Sequence, residues 1–329
     1  MMKKYFNIFL FFILFNIVLC DKLNLEKANQ IVANLIIDKG SGNSISDISE
    51  LELYPNLYFV NLSPRGFVII SKEDRAMPVL GYSFNNSIDM NNFPVQLNNI
   101  LNSYSQSIEY IIQNDIQQDV KNDKFLRKYL NENFSRIENL RNIEPLITAD
   151  WNQGGGWNEF CPSNSLVGCV AVAMAQVMYY WEHPFQGVGY SQYYDPMHGI
   201  ISVNFEEYNY NFSNMFDSYP TEDSQLLLYH SGVAVHMDYS PWGSGASVCW
   251  EGPSAQDALD NHFGFNDMVT CEVKINYTDE EWEYLIKDQL NRGWPIVYRG
   301  YSDDAGHAWN MDGYQDNYYH CNWGWGGSA

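Results

Sequence analysis

Hydrophobic and polar positions follow several distinct rhythms along this chain, and each rhythm predicts an element. The first is an apolar run, "YFNIFLFFILFNIVL" (5–19), preceded by Lys3 and Lys4. Fifteen residues are short for a bilayer-spanning helix. The basic start, the apolar stretch and the small-position candidates Val18 and Cys20 predict a cleaved secretory signal over residues 1–20. A lipid-anchored Cys20 is the competing reading, and bulky Leu19 disfavours it. "LEKANQIVANLII" (25–37) then places apolar residues at helical spacing. Tyr58-Phe59-Val60 and Phe67-Val68-Ile69-Ile70 predict two strands of a hairpin turned at Pro64-Arg65-Gly66. "LNNILNSYSQSIEYIIQN" (97–114) is again helical. Residues 21 to about 120 therefore predict a small α+β unit, and it contains neither cysteine nor histidine.

Residues 121–141, "KNDKFLRKYLNENFSRIENLR", are polar and rich in basic residues, as in a linker or an exposed amphipathic helix. A change of composition near "NIEPLITADWNQ" predicts a domain boundary between about 135 and 148. Further on, "CVAVAMAQVMYYW" (169–181) is helix-compatible and ends at His183-Pro184. The last segment, "GHAWNMDGYQDNYYHCNWGWGG" (306–327), predicts two strands around a turn near 313–317, with residue 307 opposite about 322.

Charge sharpens this division. The net charge is −22, and from Pro145 onward there are 24 acidic and only 4 basic residues. Such a surface repels nucleic acid and anionic membranes, so neither is expected as a partner. All seven histidines lie in this half, as do five of the six cysteines: Cys161, Cys169, Cys249, Cys271 and Cys321. An odd number in an exported protein leaves at least one thiol unpaired, and the sequence leaves the pairing open. Close paired ligand spacing of the zinc-site type is missing, so no metal and no cofactor are expected. Sequons stand at Asn61, Asn85, Asn133, Asn211 and Asn276.

Cys169 follows Gly168 at the predicted helix start, where free N–H groups and the helix dipole stabilise a thiolate. By itself the position suits a buried structural cysteine as well as a nucleophile. A thiolate nucleophile needs a histidine. His183, His198, His230, His236 and His262 have no supporting pattern and read as structural or surface residues, and His320 as a strand residue. His307 differs, because the predicted hairpin sets Asn322 beside it. There an amide oxygen accepts from the imidazole N–H and fixes its orientation, the third role of a Cys-His-Asn triad. Trp323 would cover that bond. Upstream, Gln153 lies in a glycine-rich loop, where its amide and the Cys169 N–H suit an oxyanion hole.

The order Gln, Cys, His, Asn and the local motifs resemble the streptopain family of papain-like cysteine peptidases. The motifs are "WNQ", "CP", "GCVAVAMAQVMYYW", "GVAVHMDYSPWGSGAS", "GWPIVYRG", "GHAWNMDGY" and "HCNWGWGG", covering most of 148–327. "FVNLSPRGFVIISKEDRAMPVLGYS" (59–83) is similar to that family's inhibitory propeptide. The resemblance implies an α+β, papain-like fold with a helical part and an antiparallel sheet part, preceded by a small α+β propeptide domain. It implies a signal peptide at 1–20, a propeptide at 21–144 and a peptidase at 145–329. It also implies a secreted zymogen that hydrolyses proteins, with its own propeptide as inhibitor and an apolar preference in the second subsite. Carried over by position, Cys169 is the nucleophile, His307 the base and acid, and Gln153 the oxyanion donor. Asn322 is the orienting residue and Trp323 the shield. Gly243, Ser244, Gly245, Ala246 and Ser247 border the substrate cleft. The family usually continues some tens of residues beyond "WGWGG", so the end at Ala329 raises the expectation of an incomplete C-terminus. Two other readings use the same residues, a transglutaminase-like acyltransferase and a catalytically impaired binding protein. The basic 121–141 segment is expected to dock on the acidic half and hold the zymogen shut.

Overall fold

The computed structural model describes residues 22–90, 93, 95–131, 142–265, 269–301 and 306–327. The expected signal, Asn133 and residues 132–141 lie outside them.

The N-terminal unit begins with α1 (Leu25–Asp38), whose Asn24 side chain accepts from the Lys27 N–H and caps the first turn. Four strands follow, β1 (Ser44–Ser49), β2 (Leu57–Ser63), β3 (Phe67–Ser71) and β4 (Val79–Ser83), forming one antiparallel sheet in chain order. Then come α2 (Val95–Gln113) and α3 (Val120–Tyr129). The β2–β3 hairpin is the expected one, pairing Asn61 with Phe67 around the 64–66 turn. Both faces of this sheet are covered, which is why β2 and β3 read as apolar runs without polar alternation. Tyr58, Val60, Val68 and Ile70 pack with α1 and α3. Leu57, Phe59, Phe67 and Ile69 pack with Leu97, Leu101 and Ile108 of α2. Of the two expectations for 121–141, the amphipathic helix is met over its described part, and only the exposure of its apolar face needs correction. Up to Tyr129 it is α3, whose Phe125, Leu126 and Tyr129 are buried against α1. Its polar residues had disguised a narrow apolar stripe.

The C-terminal unit is built around α4 (Cys169–Trp181), buried continuously from Val170 to Met178. The hairpin of β5 (Tyr190–Asp195) and β6 (Gly199–Asn204), with α5 (Glu222–Ala234) and α6 (Ala255–Asn261), surrounds it on one side. On the other lies a sheet of order β7 (Ile296–Tyr301), β8 (Gly306–Gln315) and β9 (Tyr318–Asn322), preceded by α7 (Asp279–Asn291). Ile286 and Leu290 of α7 pack on Tyr314 of β8. One disulfide, Cys249–Cys271, pins the loop after residue 248, and Cys161, Cys169 and Cys321 are free thiols. No helix among the described residues is long and apolar enough to cross a membrane.

The two units share side chains. Trp323 and Trp325 of the C-terminal unit sit in the same apolar cluster as α2 and the sheet face beneath it. Tyr318 of β9 packs against Tyr82 and Phe125, with ring centroids 5.3 and 5.5 Å apart. Beside it, Lys39 Nζ lies 3.1 Å from the Asp316 carboxylate, between the Tyr82 and Tyr318 rings. That lysine side chain is 2% exposed. Lys128 of α3 reaches the same carboxylate at 3.9 Å, and Lys121 reaches Glu283 at 3.6 Å.

Candidate active site

Cys169 is the first residue of α4, and its position is fixed from behind. Gly168 has φ +91°, and a Cβ there would stand 2.6 Å from Met237 Sδ and 3.2 Å from the Ser244 carbonyl oxygen. Only glycine fits both constraints. Leu166 and Val167 are tied down in turn. The Leu166 N–H donates to the Ser240 carbonyl, and the Val167 N–H to the Gln153 carbonyl at 2.9 Å. Gln153 is thereby held beside the Cys169 turn, and its side-chain amide has no hydrogen-bond partner among the described residues.

The glycine-serine loop forms a neighbouring wall. Ser244 Oγ donates to the Leu166 carbonyl at 2.6 Å and accepts from the Ser240 N–H at 3.0 Å. Gly245 pairs with Asp238, and Ser247 with Ser254. Asp195 braces this wall from beneath. It is buried and accepts N–H bonds from Met197, His198 and Tyr239, the set of contacts that holds its carboxyl below the usual range against the opposing effect of burial.

His307 is the second residue of β8. Ala308, next to it, donates its N–H to Cys169 Sγ at 3.4 Å. The thiol and the imidazole therefore lie on touching elements, yet they are not hydrogen-bonded to each other. His307 Nε2–H donates to the Trp323 carbonyl at 3.0 Å, and the buried Nδ1 has no partner. The accepting carbonyl fixes the tautomer, leaving the Nδ1 lone pair as the base. Trp309, Trp323 and Trp325 lie near-parallel to the ring at centroid distances of 6.1, 5.9 and 5.0 Å. Burial in this aromatic box lowers the imidazole pKa to about 4, against the raising effect of the Trp323 carbonyl. Burial pushes the Cys169 thiol up, opposed by the N–H groups of Ala308, Val170 and Cys169 itself. Both partners are thus neutral in this closed arrangement.

The expected hairpin register is corrected. Asn322 pairs with Asn310, not with residue 307, and the pairing shifts at a bulge between Met311 and Gly313. The turn falls at Asp316-Asn317, with Gln315 opposite Tyr318, and the bulge adds one further residue of shift; Ile143 pairs with Tyr314, and a Cβ at Gly313 would lie 2.8 Å from the Ile143 carbonyl oxygen. The Asn322 amide consequently turns away from the imidazole. It donates to the Ala149 carbonyl at 2.9 Å and accepts from Gln176 and the Gly324 N–H. The orienting acceptor is the Trp323 main chain, and the Trp323 ring lies near-parallel to His307 with no His307–Asn322 bond beneath it to cover.

The other histidines have structural surroundings. His230 is buried against Tyr210, and burial takes its pKa to about 3. His198 sits between Ser163 and Ser165. His320 in β9 lies 2.6 Å from the buried Asp312, whose carboxylate also accepts from Ile147 N–H. No cluster of metal-ligating side chains occurs among the described residues.

Comparison with known proteins agrees with this geometry. Residues 151–329 match the Peptidase C10 family, and residues 22–108 match the Spi protease inhibitor family. Streptopain of Streptococcus pyogenes is 29% identical over 308 residues, covering 83% of this chain and 72% of that protein. The thiol protease/hemagglutinin PrtT of Porphyromonas gingivalis is 27% identical over 283 residues, covering 80% of this chain and 32% of that one. Among solved structures, prointerpain A of Prevotella intermedia matches at TM-score 0.66 and 28% identity, over 87% of this chain and 90% of that one. Active interpain A matches at TM-score 0.52 and 33% identity, over 56% and 83%. A thiol at a helix start, an imidazole on the adjoining strand and an inhibitor-like unit sharing its core with Tyr318, Trp323 and Trp325 all converge. This chain belongs to the Peptidase C10 family of cysteine peptidases and carries its propeptide domain.

Proposed function

We propose that the chain is exported as a latent endopeptidase that hydrolyses proteins through an acyl-enzyme on Cys169. The observation that carries this reading is the Ala308 N–H to Cys169 Sγ contact, with the neighbouring His307 tautomer set by a main-chain carbonyl. In the open enzyme the Nδ1 lone pair of His307 takes the thiol proton. The thiolate attacks the scissile carbonyl, and the Gln153 amide and Cys169 N–H hold the oxyanion. The imidazolium returns its proton to the leaving amine. It then takes one from water, whose oxygen releases the acyl group and regenerates the thiolate–imidazolium pair. The loop 243–247 borders the acyl side of the cleft.

The propeptide domain blocks this chemistry by holding Trp323 and Trp325, and with them His307, in its own apolar cluster. The Ile143 pairing with Tyr314 supports a cut upstream of Ile143, inside the 135–148 window expected from composition and slightly ahead of the 144/145 boundary that the resemblance implies. Residues 1–20 supply the export signal.

A thiol-directed epoxide tests the reading. After limited proteolysis and under reducing conditions it should label Cys169 and abolish activity on a protein substrate. New peptide termini support hydrolysis, and cross-links without new termini support acyl transfer. Absence of labelling at Cys169 refutes both.

A further inference from the structure

Behind the reacting pair lies a buried cluster of three amides. Gln176 is fully buried in α4, two helical turns from Cys169 and so on a similar face. Its Nε2 donates to the Ala149 carbonyl at 2.8 Å and to Asn322 Oδ1 at 3.1 Å. Its Oε1 accepts from Asn310 Nδ2 at 2.9 Å. Asn310, also fully buried, stands three residues from His307 on β8, and its Nδ2 makes a second bond to the Ala173 carbonyl of α4. Asn322 closes the cluster at the end of β9, next to the Trp323 carbonyl that orients the imidazole. Each polar atom of Gln176 is thus used, and each bond joins α4 to a different segment of the site.

We propose that Gln176 is a positioning residue that sets the helix bearing Cys169 against the strand bearing His307, with Asn310 and Asn322 as its two contacts on the histidine side. This rests on Cys169 and His307 being the reacting pair. The physical case is directional. Apolar packing between α4 and β8 permits sliding, because it has no preferred register along either axis. Buried hydrogen bonds do not, because any slide leaves amides without partners in a dry interior. The cluster therefore fixes the separation that decides how far a thiolate–imidazolium pair is stabilised. Misplacement by about 1 Å is enough for a 100-fold loss of rate.

The test uses the full-length chain after activation by limited proteolysis. Kinetics on a small peptide substrate are paired with the pH dependence of Cys169 alkylation by iodoacetamide. Gln176→Met keeps volume and helix propensity but removes all three bonds. It should lower kcat about 10- to 100-fold, leave KM within about 2-fold, and move the alkylation midpoint towards higher pH. Asn322→Gln keeps both the oxygen that accepts from Gln176 and the N–H₂ that donates to Ala149, whereas Asn322→Leu keeps neither. The glutamine variant should therefore retain more activity and a more nearly wild-type midpoint. These edge variants also answer the question if Gln176→Met does not fold. Unchanged kcat and midpoint in folded Gln176→Met overturn the proposal. So does equal behaviour of the two Asn322 variants. Persistence of activity in Cys169→Ala would instead overturn the underlying assignment of the nucleophile.

Discussion

Replacing Lys39 by methionine removes one charge from the junction between propeptide and peptidase while keeping most of the side-chain volume. The lysine is almost inaccessible, and its Asp316 partner is 14% exposed. Removing one member of a buried pair typically costs about 3–5 kcal/mol, because the other charge is left uncompensated. Asp316 keeps Lys128 at 3.9 Å, which softens the loss, so about 2–3 kcal/mol is expected here. At about 1.4 kcal/mol per factor of ten, the open population rises roughly 30- to 150-fold. The assay is the initial rate of Cys169 labelling in the uncut full-length chain, read at the Cys169 peptide by mass spectrometry. When opening and closing are fast, that rate follows the open population. Lys121→Met is the control, since Lys121 and Glu283 are substantially exposed and such pairs contribute about 1 kcal/mol or less. Added salt should likewise act on the Lys121 pair and spare the buried one. A labelling rate for Lys39→Met within twofold of the unmodified chain would refute the reasoning.

Acid should open the zymogen. The closed-state imidazole of His307 has a pKa near 4, against about 6.5 when free. The open form therefore binds more protons between these values. Stabilisation of the closed form is complete above pH 6.5 and is lost as pH falls towards 4, by up to about 3 kcal/mol. In an uncut Cys169→Ala chain, where the open-state imidazole titrates alone, loss of the near-ultraviolet circular dichroism of the tryptophan box should grow across this window, and His307→Gln should flatten the dependence. Because buried His230 weakens the whole fold in the same direction, thermal melts at each pH separate opening from unfolding. Gly168→Ala should destabilise by about 2 kcal/mol or more and reduce labelling of the displaced thiol, measured by urea unfolding and epoxide reaction, because positive φ and the Met237 contact both oppose a Cβ. Removing the Cys249–Cys271 link, which spans 22 residues, should lower stability by about 3 kcal/mol, seen as a lower melting temperature in the double serine variant.

The sequence carried the parts of this molecule that depend on side-chain rhythm. Helix α1, the β2–β3 hairpin and α4 are all visible as periodicity. Strand β1 is not, because "SISDIS" is an edge strand with a largely solvent-facing pattern. Nor is the inward face of α3, where three apolar residues are enough only because α1 and Tyr318 complete their surroundings. Around the candidate site, the helix that starts at Cys169 and the strand that carries His307 were legible as pattern. The partner of His307 was not, since it is a carbonyl that every residue possesses. The register of Asn322 depended on a tight turn at Asp316-Asn317, later in the chain than a turn centred on Gln315 would put it, with one further residue of shift at the bulge. Asn322 proves informative for a different reason, as part of an amide cluster whose other members, Gln176 and Asn310, carry no local motif.

Trp323 and Trp325 belong at once to the histidine box and to the core beneath α2. Departure of the propeptide therefore transfers two indoles from a dry, rigid setting to water. Their emission should shift to longer wavelength as maturation proceeds, giving a label-free clock that runs with the appearance of activity. The same event would bare an apolar face near the free thiol of Cys321, so the mature form should associate more readily than the uncut chain.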